Sequence, residues 1–344
     1  MLDKHAAITV IGAGAIGGVT AAALKTAGRD VTLVCKHKAI ADLAGTTGLS
    51  IGGIKGLQTV RLDAVENIAD LKVPQDLVLL ATKATDCVGA ATDLLPFLRP
   101  ESVVVSLQNG ICEDDLAAVV GHDRIMGCVV GWGASMVGPG KLEITSPGDF
   151  IVGNIDHRRD DNLPFVRDLL NEVVPARISD NIMGELYAKL IINACINSLG
   201  VIVGVRLGQL LANRQARRIF IAVMREAIDV ANALGIKVER GGGGQLDYYT
   251  FLAGKGFVKS LKRHLFIRAI GFKYRRIKSS SLQSIERGRP TEIDYLNGYI
   301  VDQGRAKGVP VPINSTIVKM VKEIETGNRK MGYANLDEAA LQDV

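Results

Sequence analysis

A chain of 344 residues with 47% apolar and 22% charged side chains can bury two cores, and this ordinary globular composition excludes a fibrous or disordered class. A net charge of +5 with few aromatic residues suits an anionic small molecule and argues against a nucleic-acid reader. Five widely spaced cysteines (Cys35, Cys87, Cys112, Cys128, Cys195), no CxxC and scattered histidines exclude a disulfide framework and give no metal site.

In chain order, residues 7–12 form a short apolar strand, 15–28 an Ala-rich helix closing on Gly28, and 30–35 a second strand. Residues 76–82 and 102–107 are continuous apolar runs without polar alternation, the pattern of parallel strands covered on both faces. Residues 138–153 read as a late hairpin or edge ribbon. From about 160 helical periods take over, at 162–173, 182–203, 214–235, 291–307 and 312–325, with no convincing strand. The expected architecture is an α/β Rossmann-type doubly wound parallel sheet over 1–180, followed by an all-α domain over 181–344. The "RGGGG" at 240–244 is a loop or helix break, and the polar tail after Gly327 is expected to be loosely held. No signal peptide is evident, and Lys, Asn or Gly interrupts the longest apolar runs before bilayer-spanning length. A cytoplasmic protein without a membrane partner is the expectation.

Gly12, Gly14 and Gly17 keep the GxGxxG spacing between the first strand and its helix. Gly12 permits the tight turn, Gly14 lets the backbone approach a pyrophosphate, and Gly17 lets the helix pack on the sheet. The phosphates then meet the free N–H groups at the helix start, around Gly14, Ala15, Ile16 and Gly17. Sequence context on both sides makes this a dinucleotide site rather than a tight connection. After the second strand stands Cys35-Lys36-His37-Lys38, where an NAD site carries an acid. With no acid there and two lysines to draw a 2′-phosphate, NADPH/NADP+ is favoured, although the lysines alone would also suit a solvated helix start. Lys83 and Asn109 follow the next two strands, at the carboxyl ends where open α/β sheets bind ligands. Each alone would pass for turn chemistry.

The segment 184–205 reads as a buried helix, yet Glu185, Lys189, Asn193 and Asn197 recur every four residues along it. Such residues lie on adjoining turns of one face. Burying an unpartnered ammonium costs several kcal/mol, and each unpaired amide about 1–3 kcal/mol more. The ridge is therefore expected to face a polar cleft between the domains; the competing readings are a solvated face, or a Glu185–Lys189 ion pair with the amides capping loops. In "SSSLQSIERGRPTEIDYLNGY" (279–299), Glu292 and Asp294 open a helix behind Pro290, with Thr291 as N-cap. Ser280 and Gln283 either contact a ligand or stabilise turns. Residues 255–280 are strongly basic, with Phe257, Leu261, Leu265 and Ile270 spaced along them; a solvated helix packed on the core is favoured over a membrane-surface helix.

With "GAGAIGG", "ATK", "QNG", "ELYAKLIINACIN" and "SSSLQSIERGRPTEIDYLNG" in this order, the chain resembles the ketopantoate reductase (2-dehydropantoate 2-reductase) family over nearly its full length. The resemblance implies a Rossmann domain followed by an all-α domain. It implies an NADPH-dependent reduction of ketopantoate to pantoate in pantothenate and coenzyme A biosynthesis. Related alternatives are another 2-keto acid or an imine as substrate; a non-catalytic dinucleotide sensor is the alternative of another class. Lys189 falls at the family's catalytic lysine, and Asn193 and Asn197 at substrate-binding asparagines. Ser280 matches the serine for the substrate carboxylate, and Glu292 the acid beside the nicotinamide and the reacting carbon. Lys83 and Asn109 match residues lining cofactor and substrate, and Lys36 a basic residue for the 2′-phosphate. Glu185 would help keep Lys189 protonated. The implied partner is a small-molecule 2-keto acid, with a homodimer as the candidate assembly. Departures from the family pattern are Ser284 in place of an acid, Leu207 in place of an asparagine, and a longer segment over 239–278.

Overall fold

A computed structural model describes residues 1–54, 56–156, 158 and 160–341. They form two compact units, Met1–Leu186 and Tyr187–Val344.

The first unit begins with β1 (Ile8–Ile11), α1 (Ala15–Thr26), β2 (Val31–Val34), α2 (Lys38–Thr46), β3 (Leu49–Gly53), β4 (Gln58–Val60) and β5 (Asp63–Val65). It continues with β6 (Gln75–Leu80), α3 (Ala84–Leu94), β7 (Leu98–Ser106), α4 (Glu113–Val120) and β8 (Ile125–Val130). It ends with β9 (Gly133–Gly138), β10 (Lys141–Ser146), β11 (Phe150–Asn154), α5 (Leu163–Asn171) and β12 (Ala176–Ile178). Eight strands make the main sheet in the order β12-β11-β8-β7-β6-β1-β2-β5. The six from β8 to β5 run parallel, whereas β11 pairs antiparallel with β8 and carries β12 parallel to itself. Strand β1 lies between β2 and β6, so the chain reverses its winding direction there, which is where such sheets open a crevice at their carboxyl ends. The apolar runs of the sequence are these central strands: all four residues of β1 are buried, and Val78 and Leu79 of β6 are fully covered.

Strands β4-β3-β10-β9 form a second, four-stranded sheet, which the sequence reading did not anticipate. The expected ribbon over 138–153 divides. Strand β10 pairs antiparallel with β9 in this second sheet, and β11 joins the main one. Helix α1 packs against both β1 and β2 of the main sheet and β9, β10 and β3 of the second. Contact is close: a Cβ on Gly18 would stand 2.5 Å from a Leu142 methyl. The short strand β12 also corrects the expectation of no strand beyond residue 160; three residues bounded by Pro175 carry too little pattern to read.

Helix α6 (Ile182–Val203) runs from the first unit into the second. It is long and apolar enough to cross a bilayer by composition, against the expectation, but 78% of that stretch is buried by protein. The second unit continues with α7 (Leu207–Ala212), α8 (Arg214–Ala233), α9 (Tyr248–Leu252), α10 (Phe257–Lys273), α11 (Ser280–Glu286), α12 (Asn297–Lys307) and α13 (Pro312–Glu325). Side-chain caps begin three of them: Asn213, Asp247 and Ser279 accept the backbone N–H groups of Ala216, Thr250 and Leu282. Helix α8 buries Ala216, Ile219, Phe220, Val223, Met224 and Ala227 at helical spacing against α12 and α13. Its Glu226 accepts the N–H groups of Ile313 and Asn314 at 2.8 and 2.9 Å and so holds the start of α13.

One expectation fails in this unit. The tail after Gly327 is tied down as far as Leu341: Arg329 binds Glu323 and Glu338, Asn335 donates to the Ile202 carbonyl at 2.9 Å, and Leu341 is fully buried. The basic helix α10 packs on α7 and α8 as expected, but through Arg263, Ile267 and Gly271 rather than the apolar residues singled out. Phe257, Leu261 and Leu265 are exposed, while Arg263 is buried and donates to the carbonyls of Phe251, Leu252, Ala253 and Gly254. Those four carbonyls lie at the end of α9 and in the two residues after it, and the guanidinium supplies them with a donor.

Candidate active site

The carboxyl edge of the main sheet assembles one half of the predicted site. Ile11, Val34, Leu80 and Ser106 are in register across β2, β1, β6 and β7, so the segments that follow them emerge together. Those segments hold Gly12–Gly17, Lys36, Lys83 and Asn109, the residues singled out for the cofactor.

The turn after β1 fits a dinucleotide. Gly12 has φ +111°, and a Cβ there would lie 2.7 Å from the Ala81 carbonyl oxygen. A Cβ on Gly14 would meet nothing within 4 Å, so this stretch of backbone faces open space. A Cβ on Gly17 would lie 2.0 Å from the Gly12 carbonyl oxygen. Helix α1 starts at Ala15 with no side-chain cap and no acid in its first turn, which leaves its leading N–H groups and dipole to an anion. Gly17→Ala must push the helix off the turn. It should lower stability by roughly 1–3 kcal/mol and weaken dinucleotide binding at least about tenfold. Thermal unfolding and cofactor titration of the variant check this.

At the end of β2, Cys35 is fully buried and its thiol is pushed up to about 12 by desolvation, so it is an inert packing residue. Lys36 is 78% exposed, and its ammonium is 3.5 Å from the Asp86 carboxylate. The reading that no acid stands near this position needs correction. Asp86 arrives from the first turn of α3, fifty residues further on, where no local pattern could place it. Lys38 pairs with Asp42 one turn along α2. Lys83 is the exposed N-cap of α3. Asn109 is half-buried, ahead of Gly110 at φ +89°. Between them, Gln108 donates to the Thr82 hydroxyl at 3.3 Å and accepts from Ser106 at 2.8 Å, joining the ends of β6 and β7. The sequence reading missed Gln108 and also Glu113, an almost fully buried acid in the first turn of α4. Burial pushes the Glu113 carboxyl up to about 7, against the Ser106 hydroxyl and the backbone N–H groups of Glu113 and Cys112, which lower it.

Helix α6 and the segments before α12 hold the other predicted residues. Lys189 and Asn193 are half-buried and Asn197 is buried, on successive turns of α6. Glu185, one turn before Lys189, has a second cation at hand. Its carboxylate is bound by the Arg177 guanidinium at 2.6 Å. Arg177 lies on β12, the strand that the sequence concealed. Ser280 opens α11, and its hydroxyl donates to the Asn197 side-chain oxygen at 3.2 Å. Gly200 makes this approach possible, since a Cβ there would lie 2.5 Å from the Ser279 hydroxyl oxygen. Gln283 donates to the Lys278 carbonyl at 3.2 Å, the turn-stabilising alternative. The helix expected from 291 is broken into a 3₁₀ turn, Ile293–Tyr295, and α12. Half-buried Glu292 heads that turn. Thr291 still caps, accepting the Ile293 N–H at 3.2 Å, but it also donates to Glu325. Asp294 is occupied by Lys322 at 2.6 Å. Leu207, where some family members carry an asparagine, is buried at the start of α7.

The chain is similar to known proteins over nearly its whole length. A curated relative from Pyrococcus abyssi, named 2-dehydropantoate 2-reductase, is 29% identical over 316 residues, covering 92% of this chain and 96% of its own length. The crystal structure of a PanE/ApbA family ketopantoate reductase from Ralstonia eutropha JMP134 superposes with a TM-score of 0.80 at 29% identity, covering 94% of this chain and all of that one. D-mandelate dehydrogenase in a ternary structure with NADH and anilino(oxo)acetate shares the fold, with a TM-score of 0.78 at 23% identity, covering 93% of this chain and 99% of that one. The family model for ketopantoate reductase PanE/ApbA matches residues 8–157, and the model for its C-terminal part matches residues 181–325. Glycine turn, lysine–asparagine helix and both matched regions together make this chain a member of the ketopantoate reductase PanE/ApbA family.

Proposed function

We propose that the protein reduces 2-dehydropantoate to pantoate with NADPH, the reductive step toward pantothenate, in a reducing compartment such as the cytoplasm. The observation that carries this reading is the Ser280–Asn197 hydrogen bond. It puts a hydroxyl suited to a carboxylate on the same helical face as Asn193 and Lys189, so groups for both ends of a 2-keto acid share one ridge. Five buried free thiols support a reducing environment.

A bound nicotinamide supplies the hydride for the keto carbon. The chain supplies position and protons. The Ser280 hydroxyl and the Asn197 amide bind the carboxylate end, and Asn193 orients the keto group. Lys189 gives its proton to the oxygen that becomes the alkoxide, offsetting its charge as it forms. Glu292 accepts a hydrogen bond from the substrate hydroxyl. Lys83 and Asn109 line the cofactor from the ends of β6 and β7. The deciding assay is NADPH oxidation with 2-dehydropantoate against a panel of other 2-keto acids and imines. A clear preference for another member of the panel would reassign the substrate, and binding without turnover would make the protein a sensor.

Coenzyme choice rests on Lys36. Its contact with Asp86 is between exposed groups and is worth at most about 1 kcal/mol, so a 2′-phosphate dianion can draw the lysine away. Asp86 favours the opposite reading, a preference for NADH. Lys36→Glu is expected to lower kcat/KM with NADPH by about tenfold, or about 1.4 kcal/mol, and to spare NADH. Steady-state kinetics with both coenzymes test it, and an unchanged ratio would favour the NADH reading.

A further inference from the structure

Four arginines converge on one cavity in the second unit, outside the residues assigned to the reaction. The cavity holds about 640 Å³ and is lined by Arg206, Arg268, Arg275 and Arg276 with Gly208, Gln209, Ala212 and Phe272. That volume lies within the range of small-molecule sites, roughly 300–1,000 Å³. No acidic side chain lines it. Among the described residues, none of the four guanidiniums has a carboxylate within 4.0 Å. Elsewhere the chain pairs its arginines freely: Arg29, Arg99, Arg158, Arg177 and Arg329 all have acid partners. Like charges collected without counter-ions repel one another, an arrangement whose natural complement is an anion.

The convergence is built by close packing. A Cβ on Gly208 would lie 2.6 Å from the Arg275 Cβ, and one on Gly271 would lie 2.7 Å from the Leu211 Cβ. The two glycines thus let α7 and the end of α10 approach, which brings Arg206, at the start of α7, to the arginines of α10 and the turn after it. Arg275 is further held: its guanidinium stands 4.8 Å from the Phe272 ring centroid and donates to the Phe272 carbonyl at 3.3 Å. Phe272 is itself 70% exposed beside the cavity and offers an aromatic face for stacking.

We propose that this cavity is a binding site for a soluble organic polyphosphate of nucleotide size. The planar guanidinium forks take the phosphate oxygens in pairs, and Phe272 takes an attached ring. The recess opens to solvent, with all four arginines and Phe272 exposed and so within reach of a soluble anion. The residues lining it belong to the second unit and the glycine turn to the first, and the proposal does not depend on which keto acid is reduced.

Calorimetric titration of the full chain, with NADP+ present in excess to fill the dinucleotide site, tests this with tripolyphosphate and ATP as probes. Both should bind in the micromolar range, more weakly as salt rises. The double variant Arg268→Gln/Arg276→Gln should weaken both at least about tenfold, with NADP+ affinity unchanged. Arg206→Gln, on a separate element, should reproduce the loss in part. Failure of tripolyphosphate to bind at millimolar concentration would overturn the proposal, as would equal affinity in the variants. Binding confined to anionic phosphatidylserine vesicles would overturn it in favour of a membrane contact.

Discussion

Lys189→Ala should lower kcat for 2-dehydropantoate reduction by a factor of roughly 10²–10⁴, the usual share of a positioned proton donor. NADPH affinity should stay within about twofold, because the proposed pyrophosphate contacts come from the uncapped start of α1, which this substitution leaves unaltered. In the proposed mechanism, removing the side chain takes away both the proton and the positive charge that offsets the forming alkoxide. Hydride transfer therefore slows even where substrate is saturating. Lys189→Arg restores the charge but presents a guanidinium that does not release a proton, so it should recover substrate affinity more than turnover. Stopped-flow measurement of NADPH oxidation separates binding from chemistry. A wild-type single-turnover rate in Lys189→Ala would remove the lysine from the mechanism.

The protein should lose stability as pH rises from about 4.5 to about 7, and Glu113→Gln should abolish that share of the loss. The Glu113 carboxyl is raised from 4.5 to about 7 in the fold, chiefly by burial. The native state thus holds a proton that the unfolded chain has released across this interval. Its contribution is complete below the unfolded value and disappears as pH passes through the folded one. A rise of that size is worth up to roughly 3 kcal/mol. The glutamine keeps the shape and stays neutral, so the variant should be the more stable protein at mildly alkaline pH and about equal to wild type in acid. Urea unfolding at both ends of the range measures the difference. Parallel pH profiles for the two proteins would mean that Glu113 keeps an ordinary carboxyl.

Much of this was legible because the relevant signals are local. The strand–glycine–helix order places the dinucleotide turn, since each glycine answers a steric need set by its neighbours. The four-residue interval of Lys189, Asn193 and Asn197 survives as successive turns of α6 because a long apolar helix leaves its polar positions little choice of face. What stayed hidden depends on contacts distant in sequence. Asp86 reaches Lys36 from fifty positions further along the chain, and Arg177 takes Glu185 from a three-residue strand. Glu113 reads as one of three acids at a helix start, yet it alone of the three is buried. Arg263 turned inward because the carbonyls ending α9 need donors, a demand that no amphipathic pattern on α10 reveals.

The enclosure of α1 between two sheets makes it the segment least open to editing. One inserted residue would rotate everything after it by about 100° and swing Gly17 and Gly18 away from the backbone and side chain they touch. Neither sheet could yield without disturbing the other. A designer wishing to retool this scaffold for an unfamiliar nucleotide would gain nothing by altering that helix, and would work instead on the solvent-facing run Lys36-His37-Lys38, where side chains can be exchanged without moving any wall.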